Sequence, residues 1–148
     1  MKFIIANDHA AVELKEKLKA HLIQLGHDVE DLGVAQGDKA DYPDKGEEAA
    51  RKYLTGGFDH GILCCGTGIG ISIAANKVAG IRCALPQNAF AAEMAKEHNN
   101  CQFIAFGGRI DYPEDPVVML DAFLNADFGG DRHARRIEKI MEVETRNT

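Results

Sequence analysis

The chain is predicted to be α/β, a Rossmann-like three-layer fold with an open, five-stranded parallel sheet and helices on both faces. Two observations predict this. Strand-like runs alternate with segments of helical spacing along the whole chain, in the order βαβαβαβαβα. Most of those strands read as continuous apolar stretches, the pattern of strands covered on both faces, and not as alternating apolar and polar residues. No linker, repeat or low-complexity segment interrupts the pattern, so residues 1–148 are expected to form one domain.

Phe3-Ile4-Ile5-Ala6 reads as a buried first strand. Residues 10–25 follow as a helix, with Leu14, Leu18, Leu22 and Leu25 at helical spacing and Gly26 as its stop. Val29 to Leu32 reads as a second, weaker strand, and residues 44–54 as a polar helix after Pro43. His60 to Cys64 is the third strand, with a helix over 69–78 behind it. Ile81 to Leu85 is the fourth, with a helix over 87–98, and Phe103 to Phe106 is the fifth. Pro113 is expected to open a helix carrying Val117, Leu120 and Leu124, and a last helix over about 132–145 carries Ile137, Ile140 and Met141.

The net charge of −6 argues against a general nucleic-acid or anionic-membrane partner. The start, Met1-Lys2-Phe3-Ile4-Ile5-Ala6-Asn7, turns polar too soon for a secretory leader, and no apolar run reaches membrane-spanning length. The expected location is the cytoplasm, where the four cysteines are reduced. No CxxC pair occurs, which weakens a structural zinc reading.

In open parallel sheets, ligands bind beyond the carboxyl ends of the strands. The residues there are Asn7, Asp8 and His9; Asp41 and Tyr42; Cys65 to Gly70; and Gly107, Gly108 and Arg109. The most informative stretch is Cys64-Cys65-Gly66-Thr67-Gly68-Ile69-Gly70-Ile71-Ser72, where a buried strand gives way to a helix N-terminus. Backbone N–H groups at such a terminus carry partial positive charge and hold anions. A free thiol titrates at about 8.5, and that field favours its anion. A thiolate beside an oxyanion cradle suits chemistry at a carbonyl. The glycines fall at 66, 68 and 70, which is not the dinucleotide fingerprint, and no Walker-type GxxxxGK[ST] occurs. A turn that merely lets helix and sheet approach explains the glycines, but not the coincident Cys65, Thr67 and Ser72.

Seven motifs together resemble the type B ribose-5-phosphate isomerases and their galactose-6-phosphate isomerase relatives. They are Asp8-His9-Ala10, Asp41-Tyr42-Pro43, the run from Cys65 to Lys77, Gly80-Ile81-Arg82, His98-Asn99-Asn100, Ala105 to Arg109, and Arg132-His133 with Arg136. The resemblance implies an aldose–ketose isomerase that works through an enediolate without metal or organic cofactor. It implies that Cys65 moves the proton between the two carbons, with Thr67 orienting the thiolate. The amides of Gly66, Gly68, Ile69 and Gly70 would stabilise the enediolate oxygen. It implies that His98, with Asn99 beside it, opens the sugar ring; read alone, His98 is a histidine at a helix C-terminus. Asp8 looks like a helix N-cap and, by resemblance, also contacts sugar hydroxyls. His9 is assigned to the ring or phosphate, and Tyr42, otherwise an ordinary loop anchor, to the substrate. Arg109, Arg132 and Arg136 are the implied phosphate ligands, which suits the planar fork of guanidinium donors. Arg132 and Arg136 share one helix face, where Arg135, Lys139 and Arg146 also allow a solvated basic stripe. In the family the C-terminal arginines reach a neighbouring subunit, which implies a homodimer, or a tetramer, with composite sites.

The chain departs from the family pattern at Ala11, Val12, Asn88 and Asp131, the first two expected to flank the sugar pocket. These departures bear on substrate identity more than on reaction type. Ribose 5-phosphate is the expected substrate; allose 6-phosphate and galactose 6-phosphate are alternatives. Two other classes are a non-catalytic sugar-phosphate-binding module and a cysteine hydrolase using Cys65 and His98.

Overall fold

The computed structural model describes residues 1–147. In chain order its elements are β1 (Lys2–Asn7), α1 (Val12–Gln24), β2 (Asp28–Asp31), α2 (Tyr42–Leu54), β3 (His60–Cys65), α3 (Ile69–Asn76), β4 (Cys83–Ala84), α4 (Ala89–Glu97), β5 (Phe103–Gly107), α5 (Pro116–Asn125) and α6 (Arg132–Arg146). The strands form one sheet in the order β2-β1-β3-β5-β4, and every pairing is parallel. The expected fold class is therefore the observed one.

Side chains from alternate strand positions build two cores. On one face Phe3, Ile5, Ile62, Ile104 and Phe106 meet Leu18 and Leu22 of α1, Ala92 and Ala95 of α4, and Met119 and Phe123 of α5. On the other, Ile4, Ala6, Leu63, Phe103 and Ala105 meet Ala49 and Ala50 of α2 and Ile71 and Ala75 of α3. Each large apolar side chain buried this way contributes about 1.5–3 kcal/mol. Because all strands run one way, their carboxyl ends share one edge of the sheet and their amino ends the other. Helix α6 packs at the amino edge, with His133 on His98, Met141 at Arg82 and Glu144 at Gly80.

Gly26 ends α1 as expected, at φ 88°, with His27 N–H donating to Leu22 O at 3.1 Å. Three local expectations are corrected. Helix α1 begins at Val12, and its N-cap is Ala11 and not Asp8; the Asp8 carboxylate accepts from Ala10 N–H at 2.9 Å, making a turn ahead of the helix. Helix α5 begins at Pro116 and not Pro113, because Asp115 caps it by accepting from Val117 N–H at 2.9 Å and Pro116 fits its first turn. Strand β4 has only two residues, since Pro86 follows close behind and Ile81 N–H turns back to Val78 O at 3.1 Å. The outer side of β4 is occupied by a side chain: Asn76 Oδ1 accepts from Cys83 N–H at 2.7 Å and Nδ2 donates to Cys83 O at 2.9 Å. Among the described residues no helix is long and apolar enough to cross a membrane.

The loop leading to the functional edge hangs on a buried ion pair. Lys15 Nζ, on a side chain only 3% exposed, lies 2.8 Å from Asp31 Oδ2, which Lys19 also reaches at 3.1 Å. Asp31 Oδ1 accepts from Gly33 N–H at 2.8 Å, and Val34 N–H then donates to Asn7 Oδ1 at 3.0 Å. Burial alone would raise the Asp31 carboxyl, but the bonds from Lys15, Gly33 and Lys19 outweigh it and hold its pKa below the ordinary 3.8. A carboxyl lowered in the fold adds stability that is full above its unfolded value and is lost as pH falls through the folded one. Acid unfolding of the wild type is therefore expected to steepen below about pH 4. Asp31→Asn, which leaves the buried Lys15 with only the exposed Glu16 carboxylate at 3.0 Å, is expected to cost about 2–3 kcal/mol at neutral pH and to flatten that acid limb. Urea unfolding midpoints across the acid range check both.

Candidate active site

At the carboxyl edge, the loops after β3 and β5 are joined by backbone bonds from Gly108 N–H to Cys65 O (2.8 Å) and from Arg109 N–H to Gly66 O (2.9 Å). Tyr112 accepts from Gly107 N–H through its hydroxyl at 2.8 Å, fixing the second loop from below. The first loop turns sharply at Gly68, whose φ of 79° is left-handed, and there α3 begins. A side chain at Gly68 would also press on Leu85 Cδ1 and the Phe106 carbonyl, at 2.7 and 2.9 Å.

This geometry separates the two adjacent thiols. Cys64 points into the α1/α4/α5 core, and burial pushes its thiol far up, with the neighbouring Cys65 adding to the shift. Cys65 belongs to the opposite face and lines a cleft of about 600 Å³. Gly68 N–H donates to its sulfur at 3.2 Å. Thr67, expected to orient that sulfur, is exposed on the rim and accepts from Ile69 N–H at 3.2 Å, so orienting the thiol falls to the Gly68 amide. Two of the expected amide donors, those of Gly68 and Ile69, are thus engaged within the loop. The amide of Gly70, in the first turn of α3, has no helical carbonyl to meet.

Asp8, His9, Tyr42, Cys65, Gly66, Thr67, Ile69, Gly70 and Arg109 all line this cleft. Asn7 holds the end of β1 by donating to Asp8 O (2.8 Å) and Val34 O (3.2 Å). His9 Nδ1 lies 3.1 Å from Ala40 O. Ala10, Asp41 and Ile73, all within the sequence motifs, complete the wall with Ala40, which no motif includes. Ile73 has a signal in retrospect: it stands one turn beyond Ile69, and both are exposed on α3. The Tyr42 ring lies against Gly70, where an added methyl would overlap it. Of the four departures, Ala11 is buried beneath Gly108 while Ala10 faces the cleft, and neither Ala11 nor Val12 lines it. Asn88 caps α4 by accepting from Ala91 N–H at 2.8 Å, and Asp131, at φ 46°, precedes the first residue of α6.

His98, Asn99, Arg132 and Arg136 are not in this cleft. His98 caps the C-terminus of α4, shortly before β5 begins, and its ring stacks on His133 at 4.2 Å and 14°. Burial, then the neighbouring His98, Arg132 and Arg136, hold the His133 imidazole below its usual pKa. This second cluster lies at the amino edge of the sheet, and Cys65 at the carboxyl edge. A strand such as β3, with 6 residues, separates those edges by roughly 16–20 Å. Within one chain the two groups do not line one cleft.

Gly70→Ala is expected to keep the fold but expel the Tyr42 ring, at about 1–3 kcal/mol. With three tyrosines and no tryptophan in the chain, tyrosine fluorescence reads that displacement directly.

A family model described as ribose/galactose isomerase matches residues 3–140. The ribose-5-phosphate isomerase B of Escherichia coli strain K12 is 39% identical over 145 residues, which covers 98% of this chain and 97% of that one. The solved ribose-5-phosphate isomerase B of Clostridium thermocellum superposes with a TM-score of 0.95 at 41% identity, covering 100% of both chains. That of Mycoplasma genitalium, solved with bound ribulose 5-phosphate, gives 0.90 at 37% identity over 97% of this chain and 96% of its own. With matches of this extent and a thiol at the head of its glycine loop, the chain belongs to the ribose/galactose isomerase family and is an aldose–ketose isomerase.

Proposed function

We propose that the chain interconverts ribose 5-phosphate and ribulose 5-phosphate through a cis-enediolate, in sites shared between two copies of the chain. The observation that carries this is the Cys65 sulfur, held by the Gly68 amide and facing a cleft that also presents His9 and Arg109. The relative solved with ribulose 5-phosphate supports the choice of sugar.

In this reading His98 first transfers protons between the ring oxygen and the anomeric hydroxyl, releasing the open-chain aldehyde. Cys65 takes the proton from C2 and the electron pair moves onto the carbonyl oxygen, giving the enediolate. The Gly70 amide and the rest of the loop stabilise that oxyanion, a donor being worth about 3–4 kcal/mol in the barrier. The proton on O2 passes to O1, and the thiol returns its own proton to C1 as the carbonyl forms at C2. Thr67 and Tyr42 meet the sugar from the rim, Asp8 binds its hydroxyls, and His9 and Arg109 hold the distal end. Arg132 and Arg136 reach the phosphate, and His98 and Asn99 the ring, from a second copy. The separation of the two clusters by the depth of the sheet supports a homodimer with composite sites.

Incubation with ribose 5-phosphate in deuterated water tests the activity by NMR: ribulose 5-phosphate carrying deuterium at C1 is expected. If ribose 5-phosphate stays unchanged, allose 6-phosphate and galactose 6-phosphate decide for a six-carbon substrate. No turnover of any of the three favours a binding module.

Cys65→Ala is expected to lower turnover by about 10²–10⁴ while sparing binding. Cys64→Ala is expected to stay active at a cost of about 1–2 kcal/mol in stability. The reverse pattern would mean that the thiols are exchanged. Unfolding and refolding a mixture of Cys65→Ala and His98→Asn is expected to restore roughly a quarter of wild-type activity, because a mixed dimer holds one intact site. No recovery would place both residues in one chain's site.

A further inference from the structure

Arg82 lies outside the cleft, and no step above uses it. Its side chain nevertheless gathers the segment that carries His98. Arg82 Nε donates to Asn99 O at 2.9 Å and Nη2 to Asn100 O at 2.8 Å. Nη1 lies 3.6 Å from Met141 Sδ on α6. The chain turns at Asn100 through a left-handed φ of 43°, with Asn100 N–H on Lys96 O (3.0 Å) and Cys101 N–H on Ala95 O (3.1 Å). The carbonyls of Asn99 and Asn100, just past the end of α4, would otherwise lack a helical donor. The Gln102 side-chain amide braces Arg82 in turn: the Arg82 N–H donates to Gln102 Oε1 at 2.8 Å, and Gln102 Nε2 donates to Gly80 O at 2.8 Å. Gly80 N–H meets both oxygens of Glu144, at 3.1 and 3.0 Å.

We propose that Arg82 is a positioning residue for ring opening: by clamping the carbonyls of Asn99 and Asn100 it sets where the His98 imidazole is presented. The same clamp, through Met141 and the Gly80–Glu144 bond, sets His98 relative to the helix that carries Arg132 and Arg136. A planar fork can serve two carbonyls and a thioether at once, whereas an ammonium on a flexible stem cannot hold that geometry. This inference rests on the isomerase reading, in which His98 opens the ring.

A merely structural cap on α4 would lower stability and slow every step alike. A positioning residue splits the steps. Ribose 5-phosphate must be opened, but ribulose 5-phosphate has its 5-hydroxyl esterified and remains open-chain, so proton exchange at its C1 needs no ring opening. In Arg82→Lys, conversion of ribose 5-phosphate is expected to fall about 10- to 100-fold, a misplacement effect, while deuterium wash-in at ribulose 5-phosphate stays within about threefold of wild type. His98→Asn, run alongside, is expected to show the same split. Equal losses in both assays for Arg82→Lys, or no loss in either, would overturn the proposal. Arg82→Met repeats the test without the charge; should it fail to fold, Arg82→Lys, which keeps charge and stem, decides alone. The His98 Cε1–H resonance is followed in the same proteins and is expected to shift in Arg82→Lys. Wild type inactive on both sugars would sink the isomerase reading, and that resonance then judges the clamp: unchanged, it overturns the positioning role as well.

Discussion

The backbone ladder between β3 and β5 does not stop where the strands stop. It continues through Gly108 to Cys65 and Arg109 to Gly66, so the two functional loops are extensions of the sheet. The rest of the upper site depends on that continuation. It fixes the strand end that presents the Cys65 sulfur, directs the chain into the left-handed turn at Gly68, and brings Arg109 over Gly66. Because the ladder is parallel, the same polarity sends the ends of the returning helices to the far edge. His98 is remote from Cys65 for the same reason that Cys65 is well placed.

Much of this was legible in residue order. Continuous apolar strands and helical spacing locate the elements, and the alternation of side chains along β3 is what sends the two adjacent thiols to opposite faces. The failures were at ends, where local hydrogen-bond competition decides. Asp8 has the chemistry of a cap, but its carboxylate is used by Ala10 N–H in a preceding turn. Pro113 and Pro116 both suit a helix start, and the cap at Asp115 selects the second. Leu85 extends an apolar run that Pro86 cuts short. Thr67 looked poised for the thiol because spacing cannot say that a left-handed glycine turns its own amide there first. The division of the site between two edges was implicit in the topology, since a residue closing a helix of a parallel sheet lies at the strands' amino ends.

Burial also sorts the cysteines. Cys83 and Cys101 are pushed up by desolvation, Cys101 to about 11, and Cys64 further still. Those three thiols stay protonated at neutral pH and act as small apolar side chains. Cys65 differs in having an amide donor and an opening to the cleft. The chemistry is thus assigned to one of four identical functional groups by packing, without any change in sequence type.

The amide of Asn76, seated against β4, imitates a neighbouring strand: it offers Cys83 both an acceptor and a donor. The opposite border, β2, carries Asp28, Glu30 and Asp31. A sheet bordered by a false partner on one side and by carboxylates on the other resists growing by strand addition. Copies of this chain that associate must therefore meet through helices and loops, and an oligomer built that way has a natural end where a fibril would not.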